Sequence, residues 1–279
     1  MIRIFSILVG LFFTVALAWS FGNGAYTAAT EHVAETAEHA FHKHPNKVHF
    51  ASDGLFGKFD KQQLQRGFQV YKEVCSNCHG LRLVAFRDLK ALGYNDDEVK
   101  AIAAQAPKQP TFDPKTGDRG ERTSLPADRF APVYYAGQGS PPDLSLITKA
   151  RHDGGAYVES LLTGYAQQEG YKNEKGEEIL KKFPDAKTPD GLHFNPYFAN
   201  LNLAMAPPLV SDGQVTYGPG NPKPTVKQMA TDVAAFLIWT AEPKMEKRKQ
   251  TGWPVLGFLL FATILGYAAY RNIWAGVKH

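Results

Sequence analysis

A long apolar run lies near each end of the chain, and the residues between them alternate apolar and polar positions in short helical stretches. Behind Arg3, Ile4 to Leu17 is apolar with few interruptions, and Ala16-Leu17-Ala18 follows a small-residue cleavage pattern. That combination reads as a signal peptide over residues 1–18. An uncleaved anchor is the alternative, and either one sends the following chain across a membrane. From Trp253 to Tyr270 no residue is charged, and Trp253, Tyr267, Tyr270 and Trp274 fall near the ends of the run. This length suits a bilayer, with aromatic rings at interface depth, and predicts one transmembrane helix over residues 251–275. Lys244, Lys247, Arg248 and Lys249 precede it while only Arg271 and Lys278 follow. Counted alone, those charges would put the tail outside. The export signal overrides that count and implies an exported domain, one span and a short inner tail, 276–279.

In the middle, Leu64, Phe68, Tyr71 and Cys75 fall on one face of a helix expected over Gln62 to Val74. Gly155 to Tyr165 suits a short helix. Thr225 suits the N-cap of a longer one, Val226 to Thr240, which Pro243 ends. Residues 107–142 and 166–200 are rich in turn formers and read as irregular, and no repeat or long β alternation is present. The fold class is therefore mainly α, a domain over residues 52–250 with long loops of the kind that carry function. A large flat cofactor can supply the core that such loops lack. The polar lead-in, 19–51, holds His32, His39, His42, His44 and His49. Histidine clusters can bind metal, but no cysteine or carboxylate pattern completes a site, so a solvated, mobile lead-in is expected.

Charge narrows the function classes. The net charge is +4, but the two termini carry the excess, leaving 24 basic and 26 acidic residues between Ala25 and Pro243. A basic nucleic-acid-binding face is not indicated. Two cysteines cannot make the dense disulfide framework of a small secreted domain. They are Cys75 and Cys78 of Cys75-Ser76-Asn77-Cys78-His79. In an exported chain, C-x-x-C-H reads as covalent attachment of one haem c. Each thiol adds to one vinyl group, and His79 offers its imidazole to the iron. A redox C-x-x-C pair would expect a βαβ context, and zinc would need a second ligand pair; neither is present. The second axial ligand must come from far along the chain. Met1 lies in the signal, Met229 inside a helix and Met245 in a charged segment. Met205, in Leu203-Ala204-Met205-Ala206-Pro207-Pro208-Leu209, is the leading candidate because paired prolines hold an extended segment. His193 is the alternative.

At this point the chain resembles the cytochrome c1 family. Four stretches carry the likeness: Arg66 to Tyr71 leading into Cys75–His79; Pro141-Pro142-Asp143-Leu144-Ser145 with Lys149-Ala150-Arg151-His152; Leu161-Leu162-Thr163-Gly164-Tyr165; and Asn195-Pro196-Tyr197-Phe198 followed by Met205-Ala206-Pro207-Pro208-Leu209. The resemblance spans roughly residues 52 to 275. It implies a class I cytochrome c-like haem domain with His79 and Met205 as axial ligands. It also implies a place in a quinol–cytochrome c reductase of bacterial type, a dimeric complex in the inner membrane with the haem domain in the periplasm. Electrons would arrive from a Rieske iron–sulfur protein and leave to a soluble or anchored cytochrome c, with cytochrome b beside the span. One departure stands out. Where the family places an arginine shortly before P-P-D-L-S, this chain has Val133, Tyr134 and Tyr135, and the nearest upstream arginine is Arg129.

Overall fold

The computed structural model describes residues 2–30, 35–136 and 140–277. His32 and Lys278, named above, lie outside them. In chain order the elements are α1 (Ile2–Thr30), α2 (Ala37–Phe41), α3 (Lys61–Glu73), α4 (Asp96–Gln105), β1 (Gln109–Phe112), β2 (Arg119–Arg122), α5 (Ile147–Ala150), α6 (Gly154–Thr163), α7 (Ile179–Lys182), β3 (His193–Phe194), β4 (Asn202–Leu203), α8 (Val226–Ala241) and α9 (Met245–Trp274). Short 3-10 turns cover Cys75–Asn77, Phe86–Leu92 and Pro184–Ala186. Residues up to Ala40 form one compact unit and the chain from Phe41 onward another. Within the first unit, α1 is long and apolar enough to cross a membrane.

The second unit is built on the crossing of α3 and α8. Asp60 caps α3 by accepting from the Gln62 and Gln63 amides at 3.0 and 3.3 Å, satisfying donors that the first turn leaves unpaired. Thr225 does the same for α8 through the Gln228 amide, 3.1 Å away. Leu64, Phe68 and Tyr71 of α3 bury against Met229, Val233 and Phe236 of α8, as the periodicity predicts. Gly67 sits at the crossing. A Cβ there would come within 2.0 Å of the Asp232 carbonyl oxygen, so only glycine permits this approach. Beside it, Asp232 is fully buried and paired to Arg66 Nε at 2.9 Å. Gln63 and Gln228 add amide donors to the same carboxylate at 3.2 and 2.9 Å. A buried charge persists only when it is satisfied in this way. Phe86 and Phe130, with ring centroids 4.3 Å apart, extend the aromatic core from Phe68, Tyr71, Phe236 and Trp239.

The structure differs from the sequence expectations in several places. Residues 107–142 are not wholly irregular, since β1 and β2 pair antiparallel with Gln109 opposite Arg122. Their short, exposed strands, Gln-Pro-Thr-Phe and Arg-Gly-Glu-Arg, lack the alternation that would have revealed them. The lead-in is not solvated throughout. α1 runs on to Thr30 with no buried residue, but further along Phe41 is buried and the Lys43 amide donates to the Pro196 carbonyl at 2.8 Å. Within that stretch the His42 and His44 rings meet edge to face at 6.2 Å. Finally, the helix that contains the expected span already begins at Met245, inside the charged segment, where Met245 is buried and Lys249 bonds the Ser52 carbonyl.

Candidate haem-attachment site

The cysteine loop is delivered by α3. That helix ends at Glu73, and the Val74 amide still reaches the Val70 carbonyl at 3.0 Å. The chain then tightens into the turn Cys75–Asn77, with the Cys78 and His79 amides both donating to the Cys75 carbonyl at 3.1 and 2.9 Å. Both cysteines are half-buried free thiols. Burial, with the neighbouring Cys78 thiol second, pushes the Cys75 thiol up to about 12. Among the described residues, no group of three or more His, Cys, Asp or Glu side chains converges as a metal cage would.

His79 is oriented from a distant loop. Its Nδ1 lies 2.8 Å from the Pro142 carbonyl oxygen. A carbonyl only accepts, so Nδ1 carries a proton, and in the neutral ring that leaves the lone pair on Nε2. The loops around it are fastened together: the Tyr71 hydroxyl donates to the His79 carbonyl at 2.9 Å, and the Leu144 amide to that of Gly80 at 2.9 Å. Asp143 accepts from the Arg82 and Ser145 amides at 2.9 and 3.0 Å, and Ser145 Oγ accepts from the Leu83 amide at 3.1 Å. Pro-Pro-Asp-Leu-Ser thus works as a clasp on the chain just after the histidine.

Met205 is half-buried and packs against the same core that Cys75 borders. It follows a minimal hairpin in which β3 and β4 pair His193 with Leu203 and Phe194 with Asn202. The turn between them is closed by the Asn195 amide on the Leu201 carbonyl, 2.8 Å away, and Leu201 takes a left-handed φ of 62°, a strained conformation for a bulky residue. Met205 itself sits in a bend after β4, not in a simple extended segment. Its carbonyl accepts from the Tyr165 hydroxyl at 2.9 Å, and burial raises that phenol above its ordinary range. His193 packs edge to face on Tyr165 at 6.4 Å and lines a cavity of about 480 Å³ with Thr188 and Pro207. Met229 and Met245 are both buried, in α8 and in the first turn of α9. Arg129 is exposed; its side chain makes a long 3.5 Å contact to the Arg82 carbonyl, and its own carbonyl accepts from Gln109 Nε2 at 3.2 Å.

These residues fit a covalently held haem: two free thiols at the required spacing, an imidazole with its free nitrogen selected, and a loop-borne thioether. Sequence reasoning missed the roles of Pro142, Tyr71 and Tyr165. Pro142 acts through its backbone, which every residue possesses, so its identity gave no signal. A tyrosine at the end of an apolar face, as Tyr71 and Tyr165 are, was the only available clue to the other two.

Fold and site together define a mainly helical, cytochrome c-like domain followed by an apolar C-terminal helix. The family profile described as the Cytochrome C1 family matches residues 50–277. The chain is 41% identical over 251 residues to cytochrome c1 of Rhodospirillum rubrum, covering 84% of this chain and 89% of that one. It is 40% identical over 237 residues to the mitochondrial heme protein cytochrome c1-2 of Solanum tuberosum, covering 81% and 83%. Against cytochrome b/c1 of Bradyrhizobium diazoefficiens the identity is 42% over 245 residues, covering 82% of this chain and 35% of that protein. The chain belongs to the cytochrome c1 family.

Proposed function

We propose that this chain is a membrane-anchored c-type cytochrome that carries electrons as a subunit of a quinol–cytochrome c reductase. Cys75 and Cys78 would hold one haem c through thioether bonds, and His79 Nε2 and the Met205 sulfur would be the ligands offered to its iron. The bound haem supplies one-electron iron chemistry, and a methionine thioether favours the reduced metal. The bond from His79 Nδ1 to the Pro142 carbonyl carries this reading. It fixes the ring and its Nδ1 proton from outside the motif, as the hydrogen-bond acceptor behind a metal-bound histidine does. Tyr165 holds the Met205 backbone, and the aromatic core around Tyr71, Phe130 and Phe236 excludes water behind the cysteine loop.

The chain performs no bond-making on a substrate of its own. It accepts one electron from a Rieske iron–sulfur protein and passes it to a soluble or anchored cytochrome c. Cytochrome b lies beside the span, in a dimeric complex; the relative whose name joins b and c1 supports that neighbour. Residues 1–18 are an export signal, residues 251–275 form the single span, and the domain between them lies in the periplasm of a bacterial inner membrane. The length and hydropathy of both helices support this topology.

Gentle purification through a tag on this chain, followed by an alkaline pyridine spectrum, tests the reading. Haem c together with haem b is the expected result. Haem c alone would make the chain a free anchored shuttle, and absence of haem c would overturn the assignment of Cys75, Cys78 and His79.

A further inference from the structure

The start of α9 is strapped to a loop that the electron-transfer reading does not use. Lys249 donates its ammonium group to the Ser52 and Gly54 carbonyls at 2.8 and 2.6 Å, with Gly57 at 3.4 Å. Glu246 Oε1 accepts from the Phe59 amide at 2.7 Å, and Met245 is buried. The loop is itself closed, by the Lys58 amide on the Ala51 carbonyl at 2.9 Å and the Asp53 amide on the Phe50 carbonyl at 2.9 Å. A Cβ on Gly57 would lie 2.0 Å from the Asp53 carbonyl oxygen. This compact loop does not hide its apolar residues. Leu55 is 67% and Phe56 79% exposed, and the Phe56 ring stacks on Trp253, centroids 5.6 Å apart and planes 14° from parallel.

Trp253 marks a level along the helix. It stands about 6 Å beyond Lys249 at 1.5 Å per residue, just inside the uncharged stretch Gln250–Tyr270, which is about the thickness of a hydrocarbon core. Phe56 is held at that level by the stack, and Leu55 is its neighbour. The surrounding charges sort in the same sense. Asp53 and Asp60 are exposed although each accepts from a backbone amide, as the half-buried Glu246 also does, and the exposed Lys58, Lys244 and Lys247 outnumber these two exposed carboxylates.

We propose that the 51–59 loop is a membrane-interface foot: Leu55 and Phe56 insert beside Trp253 at the boundary of lipid headgroups and acyl chains. This rests on the reading that α9 spans a bilayer. Aromatic rings favour that depth, and exposed lysines beside it favour anionic headgroups. A lipid surface accounts for both the apolar tip and its cationic surround, whereas an apolar protein partner accounts only for the tip. The foot adds a second point of contact to the span, so the haem domain is held at one tilt over the membrane instead of pivoting on a single helix.

Photo-crosslinking tests this on the full-length, haem-loaded chain. p-Benzoylphenylalanine is placed at Leu55 or, separately, at Leu259 within the span, and the protein is reconstituted in radiolabelled phosphatidylcholine–phosphatidylglycerol vesicles. Lipid adducts at both positions are expected, with haem spectra unchanged, and the Leu55 adduct should persist in native membranes. Adducts at Leu259 only would overturn the foot and leave the span standing. Capture of a second polypeptide by Leu55 in native membranes, in place of lipid, would also overturn it. No lipid adduct at either position would overturn the span reading and the foot with it. If the residue at Leu55 disturbs the haem spectrum, the same pair of samples is read with the probe at Phe56.

Discussion

The loop that carries His79 and the segment that carries Met205 are built to different standards. On the histidine side, the ring itself is bonded to Pro142, the following backbone is clasped at Gly80, Arg82 and Leu83, and the preceding helix is locked by capped, buried packing on α8. On the methionine side, a hairpin of two residue pairs with a strained Leu201 leads to a bend held by the Tyr165 hydroxyl. A side chain fixed by several independent bonds keeps its place when one is lost; one fixed through a single bond does not. The methionine is therefore the side expected to yield first.

The largest test removes the weaker side altogether. Met205→Ala should lower the midpoint potential by a sizeable part of the ~0.8 V range that axial ligands span and open the iron to carbon monoxide. An unchanged potential with no carbon monoxide binding would shift attention to His193. Next in size is the shared scaffold. Asp232→Ala strands Arg66 in the α3–α8 crossing and should cost about 3–5 kcal/mol in denaturant unfolding, with little change in the potential of the protein that remains folded. The two loops can then be compared directly. Asp143→Ala removes the acceptor for two amides and should cost about 1–3 kcal/mol of stability while carbon monoxide stays excluded. Tyr165→Phe should cost only about 1 kcal/mol, yet admit carbon monoxide measurably and weaken the thioether-to-iron absorption band. The reverse pattern would mean that the histidine clasp is the softer side.

The smallest effect concerns pH. Asp128 lies in the segment that pairs with residues 84–87 behind the histidine loop. Its bidentate ion pair with Arg122 and the Leu125 amide lower its carboxyl from the ordinary 3.8 to about 2. A carboxyl depressed by folding stabilises the native state above its unfolded value and loses that contribution as pH falls through the folded one. The extra stability of the native chain over Asp128→Asn should thus be present above about pH 4 and fade towards pH 2, as read from melting temperatures across that range. A difference that did not change over the window would place the stabilisation elsewhere.

The sequence by itself determined the parts whose physics is local. C-x-x-C-H is legible because both thiols and the histidine lie within five residues, and the attachment chemistry depends on that spacing alone. The helices α3, α6 and α8 are legible because a buried face repeats at helical period and Asp60 and Thr225 cap as their types predict. α4 carried its own mark in the Asn95–Glu98 capping box, a local signal that could have been read. Tertiary structure alone decided which carbonyl meets His79, because every residue offers one and only the packed loops select Pro142. It also decided that Tyr165 holds Met205 and that Lys249 straps α9 to the 51–59 loop. These contacts join residues 40 and 195 positions apart, where no periodicity reaches and the closure entropy is repaid only by the finished core.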